Sequence, residues 1–180
     1  MDPATRKRSE IRRAKIIADA IYDFFHPQSV IDCGCGVAME LSHLKSRGVR
    51  VKGLDKSPHA KTHGCISEIE QWDLKQHYPF NEKYDVCLCF DAIEHLYPEH
   101  EWAVLNNLIN ASDNVIISVP WGTGDPLHFN EQPPAYWVKQ FDELGYQYDE
   151  AKTQYLKDMM RGGRLWVVRN VQFFKARTHD

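Results

Sequence analysis

The stretch SVIDCGCGVAME, residues 29–40, decides the fold. Its first part, SVIDC, is a short and mostly apolar run that predicts a buried β-strand. Gly34 and Gly36 follow at once, and glycine permits the tight backbone turn that leads from a strand into a helix. Residues 37–47 then predict a helix that Gly48 ends. A strand, a glycine-containing turn and a helix in this order are typical of a parallel α/β sheet.

The alternation of strands and helices continues along the chain, and only its last part differs. YQYDEAKTQYL and RLWVVRNVQFFKA follow each other without a predicted helix between them, so we expect the two to pair antiparallel. The predicted fold class is therefore α/β: a Rossmann-like, doubly wound, mostly parallel seven-stranded sheet with a C-terminal antiparallel hairpin and helices on both faces. The other predicted elements are the strands VRVKGLD, CISEIE (the weakest), YDVCLCFD and NVIISVPW, a stub of helix at PHAKTHG, and helices over residues 99–110 and PPAYWVKQFDELG.

The length and the charge distribution predict one domain that begins with a basic helix. A chain of 180 residues suffices for a sizeable core and little more, so we expect a single domain over residues 1–180. Residues 1–26 form an amphipathic helix within it, with apolar side chains at helical spacing. The formal net charge of −3 excludes a molecule that is basic as a whole, although its first 15 residues are basic. A solvated helix face explains these basic residues better than contact with nucleic acid does.

The apolar runs and the cysteines predict a cytoplasmic protein. No run approaches the roughly 20 apolar residues of a membrane span, so no membrane partner is expected. The cysteines number five, an odd count, and no secretory signal core precedes them, which favours a reducing compartment. Two C-x-C pairs lie in apolar strand-like runs, and we interpret them as small core residues rather than zinc ligands.

Charged side chains are concentrated where the predicted strands end. Asp32 ends the first strand, Asp55 ends the second, and Asp73 follows the third. The carboxyl ends of parallel strands meet at one edge of an open sheet, and ligands bind there. Because acidic groups at one edge repel one another, their coincidence indicates a ligand site. The residues of interest beyond the fourth and fifth strands are Asp91, Glu94, His95, Trp121 and His128.

The residues around the first turn distinguish between two nucleotide-like cofactors. Asp55 follows Gly36 at a distance that suits the ribose hydroxyls of an adenosine. A dinucleotide would need a third glycine where Met39 stands, which argues against NAD and an oxidoreductase. Asp32 suits an α-ammonium group better than a pyrophosphate, and S-adenosylmethionine carries an ammonium and no phosphate. The alternative is an ordinary strand-to-helix turn that Asp32 caps.

Over nearly its whole length the chain resembles the class I S-adenosylmethionine-dependent methyltransferases. VIDCGCGVA resembles their first motif, D-x-G-x-G-x-G, with Ala38 in place of the last glycine. VKGLDKS, QWDL and YDVCLCFDAIEHL resemble the next three motifs, and HFNEQPPAYWVKQFDELGY resembles a late segment of many small members. The resemblance implies that Asp55 binds the ribose, that Asp73 lies near the adenine amine, and that Trp72 or Leu74 lies beside the ring. The cofactor-binding residues that it implies are Asp32, Gly34, Cys35, Gly36, Asp55, Lys56, Trp72, Asp73 and Phe90.

The stretch DAIEH, which follows the fourth strand, carries the predicted chemistry. A hydroxyl acceptor must lose its proton, so a base or a metal is expected here. DAIEH resembles the E-x-x-E-H of metal-assisted O-methyltransferases of ubiquinone biosynthesis and of small-RNA 2′-O-methylation, although Asp91 is one methylene shorter than glutamate. The alternative, without metal, is a helix capping box formed by Asp91 and Glu94. The predicted catalytic residues are Glu94, His95 and His128, because they follow the fourth and fifth strands. The resemblance implies Asp91, Glu94, His95 and His128 as ligands of a divalent metal.

These patterns together predict an enzyme that transfers a methyl group from S-adenosylmethionine. The expected partner is a small-molecule or glycan acceptor, methylated at oxygen, and Trp121 is the expected contact on the acceptor side. One alternative is an RNA 2′-O-methyltransferase with a divalent metal, which the basic N-terminal face favours and the overall negative charge opposes. The other is a non-catalytic S-adenosylmethionine-binding interaction module.

Overall fold

The structure, a computed structural model, describes residues 3–178 and confirms the predicted fold class. Residues 1–2 and 179–180, which the one-domain prediction included, lie outside the described residues. The strands are β1 (Ser29–Cys33), β2 (Arg50–Asp55), β3 (Ile69–Gln71), β4 (Val86–Phe90), β5 (Asn114–Ser118), β6 (Tyr146–Tyr148) and β7 (Val171–Ala176). The helices are α1 (Pro3–Phe25), α2 (Met39–Ser46), α3 (Pro58–His63), α4 (Glu101–Ala111), α5 (Pro134–Glu143), α6 (Glu150–Met159) and α7 (Leu165–Asn170), with short 3₁₀ turns at Ile93–His95 and Pro98–His100.

The sheet order is β3-β2-β1-β4-β5-β7-β6. Strands β1 to β5 pair parallel with one another, and β7 pairs antiparallel with both β5 and β6. The direction of winding reverses beside β1, whose neighbours are β2 on one side and β4 on the other. The carboxyl ends of β1, β2 and β4 therefore meet at the switch point where open α/β sheets bind ligands.

Helices cover both faces of the sheet, and each face has its own apolar core. On one face α1 and α2 pack together, and the stripe predicted for α1 is buried at Ala14, Ile17, Ala18 and Ile21. On the other face α4 and α5 supply Leu105, Leu108, Trp137 and Phe141, among others, to the second core. The five residues of β1 and of β4 are buried, as strands covered on both faces should be.

The predicted C-terminal hairpin is correct in its pairing and wrong in its connection. β6 and β7 are antiparallel, but α6 and α7 lie between them. The side chain of Asp149 accepts a hydrogen bond from the backbone N–H of Lys152, which starts α6 inside the stretch predicted to be a strand. Thr153, Leu156 and Met160 then recur at helical spacing and are buried. The first half of RLWVVRNVQFFKA is likewise helical, and only its second half forms β7.

One smaller prediction is also corrected. CISEIE contributes only its last two residues to β3, and Cys65 at its start is exposed. The other four cysteines are buried and form no disulfide, as expected of core residues. Within the described part of the chain, none of the helices combines the length and the apolar character that crossing a bilayer requires.

Candidate functional site

The turn after β1 is built around Gly34. Its φ of +91° lies in the left-handed region, and a Cβ placed there would lie 2.5 Å from the Cβ of Ala92. The backbone N–H groups of Gly34 and Cys35 both donate to the carbonyl of Leu54, at 2.7 and 3.1 Å. The turn therefore packs closely between the end of β2 and Ala92. Only glycine fits at position 34.

Asp55, at the end of β2, holds the same turn from the other side. Its Oδ2 accepts a hydrogen bond of 2.8 Å from the N–H of Gly36, and its Oδ1 accepts one of 2.8 Å from the N–H of Ser57. Each carboxylate oxygen has a second lone pair for a further donor. Asp55 can thus bind ribose hydroxyls while it fixes the glycine turn.

A cavity of about 240 Å³ opens beside this turn. Leu74, Ala92 and Leu96 give it an apolar wall that suits the flat ring of an adenine. Asp73 stands at its edge, where its Oδ1 accepts a 3.1 Å hydrogen bond from the N–H of Lys75. Six predicted cofactor-binding residues line this cavity together with His95: Gly34, Gly36, Asp55, Lys56, Trp72 and Asp73.

A second cleft, of about 1040 Å³, lies on the other side of Gly34 and Gly36. The remaining predicted residues Asp32, Cys35 and Phe90 line this second cleft. Asp32 is 4% exposed, and its Oδ1 has no hydrogen-bond partner. Burial, reinforced by the charge of Glu40, raises the pKa of Asp32 well above its usual value. A buried carboxylate oxygen without a partner fits the α-ammonium of a methionine group, so the two cavities together fit S-adenosylmethionine.

A third cavity, of about 480 Å³, lies beyond β4 and β5 and contains the predicted catalytic residues Glu94, His95 and His128. Asp91 lines all three cavities, and His95 lines the first and the third. The third cavity therefore shares lining residues with both of the other cavities. Trp121, the expected acceptor contact, is 51% exposed and does not line this cavity, whereas Trp166 does.

Backbone hydrogen bonds bring the two histidines together. The carbonyl of Glu94 accepts bonds from the N–H groups of Phe129 and Asn130, at 2.7 and 3.1 Å, and these tie the loop after β5 to the turn after β4. The imidazole rings of His95 and His128 consequently lie 4.9 Å apart between centroids, at an angle of 71°. The prediction that strands β4 and β5 place them at one site is consistent with this geometry.

Each histidine uses its Nδ1 in the fold. Nδ1 of His95 lies 3.1 Å from the carbonyl oxygen of Leu127, which can only accept, so this nitrogen donates. Nδ1 of His128 lies 2.7 Å from Oε1 of Glu131 and 2.9 Å from Oγ1 of Thr123. The hydrogen bond from Thr123, with a further contribution from His128, lowers the pKa of Glu131 to about 2. In the neutral form of either ring, Nε2 is then the nitrogen with a free lone pair.

Glu94 is the most unusual acid of the site. Its side chain is fully buried, and neither carboxylate oxygen has a hydrogen-bond partner among the described residues. Burial raises the pKa of Glu94 to about 8. One ligand atom each of Glu94, His95 and His128 lies within 4.8 Å of the others, which is a spacing that a single metal ion can span.

Asp91, the fourth residue of the predicted ligand set, is not part of the group that has this spacing. Its Oδ1 accepts a 3.0 Å hydrogen bond from Oγ of Ser118. The capping-box interpretation is wrong, because the turn at Ile93–His95 is a 3₁₀ turn that begins after Ala92 without a side-chain cap. Asp91 itself has a φ of +50°, and its N–H donates to the carbonyl of Ser118. This strained position after β4 is typical of residues at a binding site.

Three residues of the site were missed by the sequence analysis. Glu40, in the first turn of α2, and Arg164, just before α7, line the second cleft. Glu131 holds His128 and sits in the sequence HFNEQPP, which was noted only as a family-like segment. The sequence carries no signal for Arg164, because the residues that follow it predict a strand. Glu40 does have a signal, since it is the first acid after the glycine turn.

Comparisons with known proteins agree with the geometry. The chain matches the family described as a methyltransferase domain over residues 6–151. It is similar to magnesium protoporphyrin IX methyltransferase (ChlM) from Synechocystis PCC 6803 with bound SAM, at 21% identity over 79% of this chain and 71% of that one, with a TM-score of 0.62. No curated protein matches.

Two further solved structures are similar in fold. The methyltransferase domain of bacterial CtHen1-C is 19% identical over 93% of this chain and 100% of that one, with a TM-score of 0.63. The sugar N-methyltransferase KedS8 from Streptoalloteichus sp ATCC 53650 is 12% identical over 93% of this chain and 87% of that one, with a TM-score of 0.68. Since the family match spans most of its length, the chain belongs to the methyltransferase-domain family and is a class I enzyme whose cofactor is S-adenosylmethionine.

Proposed function

We propose that the enzyme transfers the methyl group of S-adenosylmethionine to an oxygen of a small-molecule or sugar-containing acceptor in the third cavity. The observation that carries this proposal is the position of His95, which lines both the cofactor cavity and the acceptor cavity. Asp91, shared by all three cavities, marks the place where they meet. The bound cofactor supplies a methyl group already activated by a sulfonium.

The chain's own residues would place the two substrates and handle one proton. Gly34 and Asp55 fix the turn on which the cofactor lies, so that proximity and alignment supply much of the rate. The hydroxyl of the acceptor gives its proton to Nε2 of His95 or His128, since Nδ1 of each is engaged in the fold. Glu131 holds the ring of His128 in place while the nitrogen accepts that proton.

A divalent metal is the second candidate for activating the acceptor. Both histidines have Nδ1 bonded to an oxygen and Nε2 free, which is how metal-binding histidines are usually held. The carboxylate of Glu94 is buried without a partner and would gain one in the ion. Glu94, His95 and His128 would hold the ion, which would lower the pKa of an acceptor hydroxyl bound to it.

An RNA acceptor remains a second candidate for the substrate. Arg12 and Arg13 on α1 are exposed at the rim of the second cleft, and neither makes an ion pair among the described residues. Two free arginines beside the cofactor cleft favour contact with phosphates. The side chains of Arg6 and Lys7, which the basic-face prediction included, lie outside the described ones.

The cysteines favour a reducing compartment such as the cytoplasm. The Sγ atoms of Cys33 and Cys87 lie 3.9 Å apart in the core and form no disulfide. Two thiols held this close would be prone to oxidation in a secreted protein.

The test is transfer of labelled methyl from S-adenosylmethionine to sugars, phenols and RNA, each with and without chelator. Transfer to a small hydroxyl acceptor supports the proposal, and transfer only to RNA supports the second substrate candidate. Inhibition by chelator with recovery in Mn²⁺ assigns the metal, whereas unchanged turnover in chelator assigns the histidine base. Cofactor binding without transfer to any acceptor class would favour the non-catalytic interaction module.

A further inference from the structure

Arg164 is delivered to the cofactor cleft by a loop that is fastened to α1. Gly163, just before it, has no room for a side chain: a Cβ there would lie 2.9 Å from Cγ1 of Ile17 and 2.9 Å from the carbonyl oxygen of Met160. Met160 directly follows α6, so the loop between α6 and α7 packs against α1. This close packing sets Arg164 at the mouth of the second cleft.

The guanidinium of Arg164 is only partly satisfied there. Its Nη2 lies 2.9 Å from Oε1 of Glu40, whose side chain is 6% exposed. Its Nε is buried and has no hydrogen-bond partner. A buried N–H without a partner costs free energy comparable to a lost hydrogen bond, so its presence in a cleft points to a missing acceptor.

A carboxyl group near Arg164 in turn lacks a hydrogen-bond donor. Oδ1 of Asp32 is buried and unbonded, and the charge of Arg164 only partly offsets the burial of that carboxyl group. Asp32, Glu40 and Arg164 thus line one cleft that offers a free acceptor and a free donor. A ligand that carries one ammonium and one carboxylate would satisfy both.

We propose that Arg164 binds the carboxylate of the cofactor's methionine portion, and that Asp32 and Glu40 bind its ammonium. The proposal rests on the placement of the cofactor described above. Nε and one Nη of a guanidinium match the two oxygens of a carboxylate, which gives Arg a geometric advantage over Lys. Arg164 is then a residue for recognising the cofactor, supplied by the two helices inserted between β6 and β7.

The experiment measures the affinities of two ligands by calorimetry. S-Adenosylhomocysteine carries both charged groups, and its decarboxylated analogue keeps the ammonium alone. We expect Arg164→Gln to weaken S-adenosylhomocysteine by about 10- to 100-fold, the range of a charged hydrogen-bonded pair, and to change the analogue by less than about threefold. Arg164→Lys should restore part of the lost affinity, because it keeps the charge without the fork.

Two control variants complete the design. Arg169→Gln removes an arginine within α7, whose Cζ lies 5.9 Å from the centre of the Trp166 ring, and should leave the affinities for both ligands unchanged. Asp32→Asn should weaken both ligands by a similar factor, because both keep the ammonium. Equal losses of the two ligands in Arg164→Gln would overturn the proposal, since Arg164 would then act only through Glu40 or the fold. Failure of the unaltered protein to bind S-adenosylhomocysteine would instead overturn the placement of the cofactor.

Discussion

Oε1 of Glu131 lies 2.7 Å from Nδ1 of His128, and the same carboxylate accepts hydrogen bonds from the N–H and the hydroxyl of Thr123. The two groups of Thr123 thereby fix the carboxylate of Glu131, which in turn fixes the imidazole ring of His128. The arrangement makes Glu131 a positioning residue for His128, whichever role the histidine has in turnover.

Replacement of Glu131 by glutamine should lower turnover by about 10-fold or more, the usual cost of losing such a partner. The affinity for S-adenosylhomocysteine should stay within about twofold, because Glu131 lines neither cofactor cavity. Steady-state kinetics and calorimetry measure the two quantities. Glu143→Gln, at an exposed acid of α5 that pairs with Lys139, is the control and should change neither. A large loss of cofactor affinity in Glu131→Gln would show that the loop shapes the whole site.

His128→Ala should reduce turnover by about 10²- to 10⁴-fold, the range for a lost general base. Its affinity for S-adenosylhomocysteine should change by no more than a few-fold, since His128 lines neither of the two cavities that fit the cofactor. The exposed His77, remote from the third cavity, provides the control variant His77→Ala. Normal turnover in His128→Ala would remove His128 from the chemistry.

Gly34 and Gly48 form a matched pair for testing the turn after β1. Their φ angles are +91° and +87°, but a Cβ at Gly48 would meet nothing within 4 Å, whereas one at Gly34 would meet Ala92. Gly48→Ala should therefore cost only the left-handed strain, about 1–2 kcal/mol of unfolding free energy. Gly34→Ala should cost more and should also weaken S-adenosylhomocysteine. Chemical denaturation and calorimetry decide the matter; equal costs for the two variants would contradict the close approach of Ala92.

Asp55→Ala should weaken cofactor binding by about 1.5–3 kcal/mol, because hydrogen bonds from the ribose to a charged acceptor are lost. It should also cost about 1 kcal/mol of folding stability, since the N–H groups of Gly36 and Ser57 lose their acceptor. Asp55→Asn keeps one carbonyl oxygen and should be milder in both respects. Normal cofactor binding by Asp55→Ala would show that another residue binds the ribose.

The buried Asp32 predicts a pH dependence of stability with a definite sign. Its pKa is raised in the folded protein, mainly by burial, so the folded state binds more protons than the unfolded state at pH values above the ordinary aspartate pKa of 3.8. The stability contributed by Asp32 is full below that value and is lost as the pH rises toward the raised pKa. Denaturant titrations of the free protein and of Asp32→Asn should therefore diverge with rising pH, the variant losing less stability. Parallel curves would contradict the raised pKa.

The same carboxyl group predicts proton release when the cofactor binds. An ammonium beside Asp32 favours the ionised carboxylate, so cofactor binding should lower the raised pKa of this group and release protons. Calorimetry in buffers of different ionisation enthalpy should detect this release, and Asp32→Asn should abolish it.

The parallel half of the fold could be predicted because β1, β4 and β5 are buried apolar runs with a turn signal at the end. The helices inserted into the antiparallel edge could not, because α7 has only six residues and contains Val167 and Val168, so that neither length nor propensity marks it as a helix. In α6 the buried positions include a threonine, which weakens the apolar stripe.

The residues of the candidate site likewise differ in how far the sequence predicts them. Asp32, Gly34 and Asp55 could be predicted since each acts where its own strand ends. Arg164 and Glu131 could not, because the groups they contact, Glu40 and His128, are set by tertiary packing. The strained backbone at Asp91 also has no sequence signal, as aspartate is ordinarily compatible with a capping position.

The position of β7 between β5 and β6 has a consequence for the order in which the sheet can assemble. β6 precedes β7 in the chain, but among the described strands it pairs with β7 alone, so β6 cannot join the sheet before β7 does. β5 likewise keeps one unpaired edge until β7 pairs with it. The loop with Arg164 and helix α7 come just before β7 in the chain. The edge of the sheet and this side of the second cleft are therefore completed in the same step.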